Sequence, residues 1–271
     1  MPPEDTPAQL FGPAVGEGPA RRYGPADRVA VLSDVHANVP ALTAVLVEVE
    51  SWRPDLVVFN GDLTWGSEPI KTIDIVRELG ERAVFVRGNA ERAVLELVGG
   101  DRRADRPRES WMAERHVTAV EFVATFAFSA VVDIRGLGPV RFCHGSPRSD
   151  TELVTPRTSE QRFGQLMAGV AERTLVTGHT HLQFDRLVAG WRSVNPGSVG
   201  LPYHDGVPGT AYWAILGPDV YLRQTRYDIA EALRGGPAVG DPGAETINSL
   251  LLRPPGPDEV MTDAESRVFA D

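Results

Sequence analysis

Three short apolar runs, Val29-Ala30-Val31-Leu32, Leu56-Val57-Val58-Phe59 and Ala83-Val84-Phe85-Val86, alternate with two stretches of helical periodicity. Four apolar residues bounded by polar ones suit a buried strand. In the first intervening stretch, residues 40–52, Leu42, Val45, Leu46 and Val49 fall on one face, and Pro40 fits a first helical turn. In the second, residues 69–79, Ile70, Ile73, Val76 and Leu79 point inward, and Gly80 closes the helix. This rhythm demands parallel strands joined by crossover helices. In such sheets functional residues gather beyond the carboxyl ends of the strands. Asp34, His36, Asp62 and Asn89 all stand there.

The same arrangement returns later in the chain. The run Val140 to Cys143 ends in His144-Gly145, and Leu175-Val176 leads into Gly178-His179-Thr180-His181. Four of the six histidines therefore follow apolar strand patterns. Residues 91–128 read as mostly helical around a charged loop at 99–109, which would form a cap beside the site. Residues 131–134, 140–143, 184–188, 191–195, 211–216 and 220–226 read as strands, and 159–171 as a helix. Residues 1–27 and 230–271 are rich in Pro and Gly without periodicity. They are expected to be a flexible arm and a loosely packed acidic tail around one domain at 28–229.

The chain of 271 residues is 42% hydrophobic, enough for one domain with a sizeable core. Its formal net charge of -10 argues against a long polyanion as a constitutive partner. The single cysteine, Cys143, permits no internal disulfide and suits a reducing compartment. No apolar run has the length of a membrane span, and the first residues lack a secretory pattern. The expected location is the cytoplasm, with no membrane partner. His116 reads as a helix-surface histidine outside the site, and His204 as a turn residue that could face it. Cys143 reads as a small strand residue with no nucleophilic role.

In order, the strand ends carry Asp34-x-His36, Gly61-Asp62, Gly88-Asn89, His144-Gly145 and Gly178-His179-x-His181. This series resembles the calcineurin-like metallophosphoesterases over residues 28–226, above all the small bacterial and archaeal phosphodiesterase-like branch. The resemblance implies an α/β fold, a four-layer αββα sandwich of two mixed sheets, with two metal ions at the strand ends. It places Asp34, His36, Asp62 and His181 on one ion and Asp62, Asn89, His144 and His179 on the other, Asp62 bridging. Mixed nitrogen and oxygen donors suit Mn, Fe, Zn, Co or Ni, with Mn the expected ion. A shared carboxylate holds two ions roughly 3.5–4 Å apart, so that one hydroxide can bridge them and attack phosphorus without a covalent enzyme intermediate.

One position departs from the family pattern. Many members carry histidine after the Asn, and that histidine is thought to assist the leaving oxygen. Here the residue is Ala90, in Gly88-Asn89-Ala90-Glu91. General acid help is worth about 10²–10⁴-fold, so its absence favours substrates with good leaving groups. The expected substrate is a small phosphorylated molecule, nucleotides included, with a phosphodiester favoured. Phosphomonoesters, phosphoproteins and dinucleoside polyphosphates are the alternatives within the family, and a non-catalytic binding scaffold is the alternative outside enzymology. Arg148 is a candidate phosphate clamp, because guanidinium matches phosphate oxygens. Asn38 and Arg87 are candidates for the same work.

Overall fold

The computed structural model describes residues 19–267. Two sheets stack face to face. One has five strands in the order β11-β10-β2-β3-β4: β2 (Val29–Leu32), β3 (Leu56–Asn60), β4 (Ala83–Val86), β10 (Thr210–Leu216) and β11 (Val220–Arg226). β2, β3 and β4 are parallel, and β10 and β11 join antiparallel at the edge. The other sheet has six strands in the order β1-β5-β6-β7-β9-β8: β1 (Arg21–Ala26), β5 (Ser129–Ile134), β6 (Gly138–Cys143), β7 (Thr174–Val176), β8 (Gln183–Val188) and β9 (Trp191–Pro196). It mixes parallel and antiparallel pairs.

Strand alternation builds the layers. Successive side chains leave a strand on opposite faces. On β2, Val29 and Val31 meet Val132, Val140, Phe142 and Val176 of the six-stranded sheet. Ala30 and Leu32 turn the other way, onto Leu42, Val45 and Val49 of α1 (Val39–Trp52). The outer face of the six-stranded sheet is covered by Phe163, Leu166 and Met167 of α6 (Glu160–Leu166) and its exit, with Val260 and Met261 of α9 (Pro257–Ser266) beyond them. The result is the four-layer αββα sandwich with mixed sheets. Among the described residues no helix is long and apolar enough to cross a membrane.

Several expectations shift. In α2 (Pro69–Arg77), Ile73 and Val76 are buried as the periodicity requires, but Ile70 is 36% exposed; Pro69 and Thr72 take the inner face with them. α6 ends at Leu166, well before 171. The helical segment consists of α3 (Asn89–Gly99), α4 (Pro107–His116) and α5 (Val120–Val123). His116 is fully buried; its Nδ1 donates to the Met112 carbonyl one turn back at 2.8 Å, so its polarity is partly satisfied without solvent.

The two flanks differ most. Residues 1–18 lie outside the described residues, but Arg21–Ala26 is an edge strand parallel to β5. Its sequence lacks apolar alternation because its backbone, more than its side chains, makes the attachment. The tail folds into α7 (Ile229–Val239), α8 (Ala244–Leu252) and α9, with α7 packed on α1 and α8. Many of its Gly and Pro residues punctuate these helices: Pro257 opens α9 and Gly240 ends α7 in a left-handed turn. Asp241, buried, fastens α7 and α8 to the body: it accepts from Arg108 of α4 at 3.1 and 3.0 Å and from the Ser67 hydroxyl at 2.9 Å.

Asp241→Ala leaves Arg108 and Ser67 without their acceptor. Breaking such a pair should cost on the order of 2–4 kcal/mol in urea unfolding and open the chain near residue 240 to limited proteolysis. An unchanged unfolding midpoint and proteolytic pattern would show that the helices dock without it.

Candidate metal centre

Parallel strands end on one edge, so the residues after β2, β3 and β4 gather in a row, facing those after β6 and β7. Asp34, His36 and His181 bring donor atoms within 4.8 Å of one another, and Asp62, His144 and His179 do the same. Asp62 reaches toward both groups: Oδ1 lies 3.3 Å from His144 Nε2 and Oδ2 lies 3.8 Å from His36 Nε2. Asn89 joins the second group, its Oδ1 3.1 Å from His144 Nε2. All seven residues singled out in the sequence as ligands therefore converge at the strand ends.

The backbone is bent to achieve this. Asp34, His36, Asp62, His179 and His181 all have φ between 48° and 62°, in the left-handed region. Such a conformation costs a non-glycine residue of order 1–3 kcal/mol and persists only where its surroundings enforce it. Here backbone bonds enforce it: Asp34 N donates to Gly61 O at 3.0 Å and His36 N to Asp62 O at 2.9 Å. Two glycines make room. A Cβ on Gly61 would lie 2.3 Å from His144 Nδ1, and one on Gly88 would lie 2.1 Å from Asp62 Oδ1.

Three imidazoles are aimed by carbonyl groups. His36 Nδ1 donates to Trp65 O at 3.1 Å, His144 Nδ1 to Asn60 O at 2.9 Å, and His181 Nδ1 to Leu201 O at 2.5 Å. A carbonyl can only accept, so the proton sits on Nδ1 and each Nε2 is turned to the centre, an arrangement that fixes tautomer and orientation for a cation. Tyr203 stacks on His181 with ring centres 4.6 Å apart. Asp34 Oδ2 accepts from Ser33 and from His179 N at 3.1 Å, whereas buried Oδ1 has no hydrogen bond. This buried oxygen, 3.1 Å from His181 Nε2 and surrounded by convergent nitrogens, fits a site that divalent cations would complete.

The electrostatics agree with that fit. Burial favours neutral carboxyls, yet His181 and His144 beside Asp34, and His144 and His36 beside Asp62, hold both acids below the ordinary carboxylate range. Burial, then His181, pushes His36 down to about 4; burial, then His144, pushes His179 down to about 4. Burial also opposes charge on His144, but Asp62 and Asp34 overcome it and lift the imidazole to about 10. His181 is likewise raised, by Asp34, against its burial.

Glu91 is the functional residue to which the sequence reading gave no role. It is fully buried at the third position of α3. Oε2 accepts from Asp62 N and Gly88 N, both at 2.9 Å; Oε1 accepts from Leu63 N at 2.8 Å and Thr64 N at 3.1 Å. One carboxylate thus binds the Asp62 turn to the start of the helix that carries Asn89. Burial and neighbouring Asp62 push it up to about 7, against the Gly88 and Thr64 amides that favour its charge. An acidic residue three places after a helix-opening glycine is a capping signature, and that signal was available in the sequence.

The expected substrate contacts do not stand free. Arg148 is held by Glu152, Nε to Oε2 at 3.0 Å and Nη2 to Oε1 at 2.9 Å, in a loop that Arg162 and Ser146 also tie to Glu152. Asn38 caps α1 through Ala41 N and donates to Gly200 O at 3.0 Å. Arg148 Nε and Nη2 and the Asn38 side chain are thus engaged within the fold. Arg87 is half-buried, with its backbone N–H on Ala127 O at 2.7 Å. His204 turns its Nδ1 to Gly206 N at 2.9 Å and its ring to Tyr212. Cys143 is buried, and burial pushes its thiol up to about 12, consistent with an inert strand residue.

Residues 28–216 match the sequence model of the calcineurin-like phosphoesterase superfamily domain. An uncharacterised protein of Methanocaldococcus jannaschii is 25% identical over 227 residues, covering 75% of this chain and 89% of that one. A metallophosphoesterase from Sphaerobacter thermophilus is 25% identical, with a TM-score of 0.65 over 83% of this chain and 98% of that one. A hypothetical protein from Pyrococcus horikoshii shares the fold at 19% identity, with a TM-score of 0.70 over 83% of this chain and 97% of that one.

Cation binding must displace the proton that Asp62 and Asp34 hold on His144 at neutral pH. Apparent Mn²⁺ affinity should therefore rise about tenfold per pH unit between pH 6 and 8, with proton release in weak buffer; a pH-independent affinity would contradict the protonation scheme. Glu91→Gln places an amide against two backbone N–H groups. It should lower stability by about 2–4 kcal/mol and weaken metal retention on dialysis, whereas wild-type behaviour in both would remove Glu91 from the scaffold of the site.

Proposed function

This chain belongs to the calcineurin-like phosphoesterase superfamily, and from that membership we propose that it hydrolyses a phosphodiester with the aid of two divalent transition metal ions. The observation that carries the reading is the pair of donor groups drawn together at the strand ends, with Asp62 between them. Asp34, His36 and His181 would hold one ion, Asn89, His144 and His179 the other, and Asp62 both. Such ions would supply Lewis acidity, lowering the pKa of water at the site and offsetting the negative charge of a phosphate ester. The mixed nitrogen and oxygen donor set suits Mn, Fe, Zn, Co or Ni alike, and manganese is the ion we take for the tests below.

The chain's own residues do the positioning. Asp34 and Asp62 remain ionised despite burial, and His36 and His179 are held neutral, so four donors are ready without a prior proton loss. Trp65 O, Asn60 O and Leu201 O fix three imidazoles, so little reorganisation accompanies binding. Preference for a diester rests on Ala90. Its backbone N–H donates to Asp62 Oδ1 at 2.9 Å, and its methyl group offers no proton to a departing oxygen. A leaving group that needs little protonation is favoured. We place the activity in the cytoplasm, on a small phosphorylated substrate.

Manganese-loaded protein should hydrolyse bis(p-nitrophenyl) phosphate faster than p-nitrophenyl phosphate, and a chelator should abolish both. Asp62→Asn should lose bound metal and at least about 10³-fold of the turnover. A metal-replete, active Asp62→Asn protein would sink the assignment, and a monoester preference would sink the diester reading.

A further inference from the structure

The loop 197–209 leaves β9 in the six-stranded sheet and enters β10 in the five-stranded one, so it crosses from one layer to the other. Its first half touches candidate ligands of both. On the five-stranded side, Val199 N donates to Ser33 O and Gly200 N to Asp34 O, both at 3.0 Å. The Ser198 hydroxyl donates to the same Asp34 O at 2.7 Å and accepts from Leu201 N at 2.8 Å. On the six-stranded side, Leu201 O accepts from His181 Nδ1, Tyr203 N donates to His181 O at 3.3 Å, and the Tyr203 ring stacks on the imidazole.

These contacts leave little slack. Ser198 is fully buried. A Cβ on Gly200 would lie 1.9 Å from Val35 O, so only glycine lets the loop come this close to the Asp34 turn. One hydroxyl oxygen thus joins the Asp34 backbone to Leu201, whose carbonyl aims His181. Tyr203 holds the same imidazole from its flat side, and its own ring packs on the apolar cluster that includes Leu175 and Leu182. Between these two grips, Asp34 Oδ1 and His181 Nε2 stand 3.1 Å apart.

We propose that residues 198–203 form a strap that sets the spacing of Asp34 and His181, with Ser198 and Tyr203 as its positioning residues, and that the strap governs the affinity of the cation taken by the Asp34, His36 and His181 group. The inference rests on the two-cation reading of the centre. Donors fixed before binding lose little freedom when a cation arrives, and removing an outer partner of a ligand weakens metal affinity about 10–100-fold. The strap is one-sided. Asp62 is braced by Glu91 and His144 by Asn60 O, neither of which belongs to the loop. Loss of a strap contact therefore weakens one donor group and spares the other.

The test is calorimetric Mn²⁺ titration of the full chain, with no substrate present. Ser198→Ala and Tyr203→Leu should each lower the affinity of one site by about tenfold or more. Tyr203→Phe keeps the stacked ring and should stay within about twofold of native. The site is identified by repeating the titrations in two backgrounds. In His144→Ala protein the intact group is the one the strap holds, and the loss should persist; in His181→Ala protein it should vanish. A substitution that merely loosens the fold would weaken both backgrounds alike. Native affinity in Ser198→Ala and Tyr203→Leu overturns the strap, as does an equal loss in the two backgrounds. A fall in Tyr203→Phe as large as in Tyr203→Leu overturns the role of the ring. If buried Ser198→Ala does not fold, the half-buried Tyr203 variants decide. Native chain that takes up no manganese overturns the two-cation reading and the strap with it, whereas native uptake unchanged in every strap variant overturns the strap alone.

Discussion

Two carboxylates, Asp34 and Asp62, are kept ionised in the interior of this protein, and the rest of the site is arranged around that fact. An unpaired buried charge is among the most costly things a fold can contain. The structure meets the cost with imidazoles a few ångströms away, with backbone amides at His179 and Ala90, and with donor atoms in positions a cation would complete. The left-handed turns at five ligands follow from the same demand. They aim short side chains back over the strand ends, where extended backbone would send them to either side of the sheet. Glu91 extends the logic one layer out: a third buried carboxylate, bound by four backbone N–H groups, stiffens the turn that holds Asp62.

The residues that converge at the strand ends were legible because each stands shortly after an apolar run, and the register between run and side chain is local. Parallel pairing of β2, β3 and β4 then brings distant ligands together with no further information needed. What escaped was set by which partner each side chain takes. Arg148 looks like a phosphate clamp until Glu152, four residues on, takes its Nε and Nη2 edge. Asn38 looks free until Ala41 N and Gly200 O engage it. The buried position of His116 was hidden because its partner is its own helix backbone.

The C-terminal segment misled for a different reason. Gly and Pro counted as composition suggest disorder, whereas Pro257 and Gly240, read by position, mark helix boundaries. The edge strand β1 misled because an edge can be held by backbone bonds with few buried side chains. Both segments attach to the sandwich without altering its core.

The ligands divide between the sheets. Asp34, His36, Asp62 and Asn89 follow strands of the five-stranded sheet, and His144, His179 and His181 follow strands of the six-stranded one. Each donor group takes members from both. Neither sheet alone can assemble a complete coordination set, and a chain with one layer formed offers only fragments of it. A cation held there would take donors from both layers, so it would act as a rivet that only a stacked sandwich can accept.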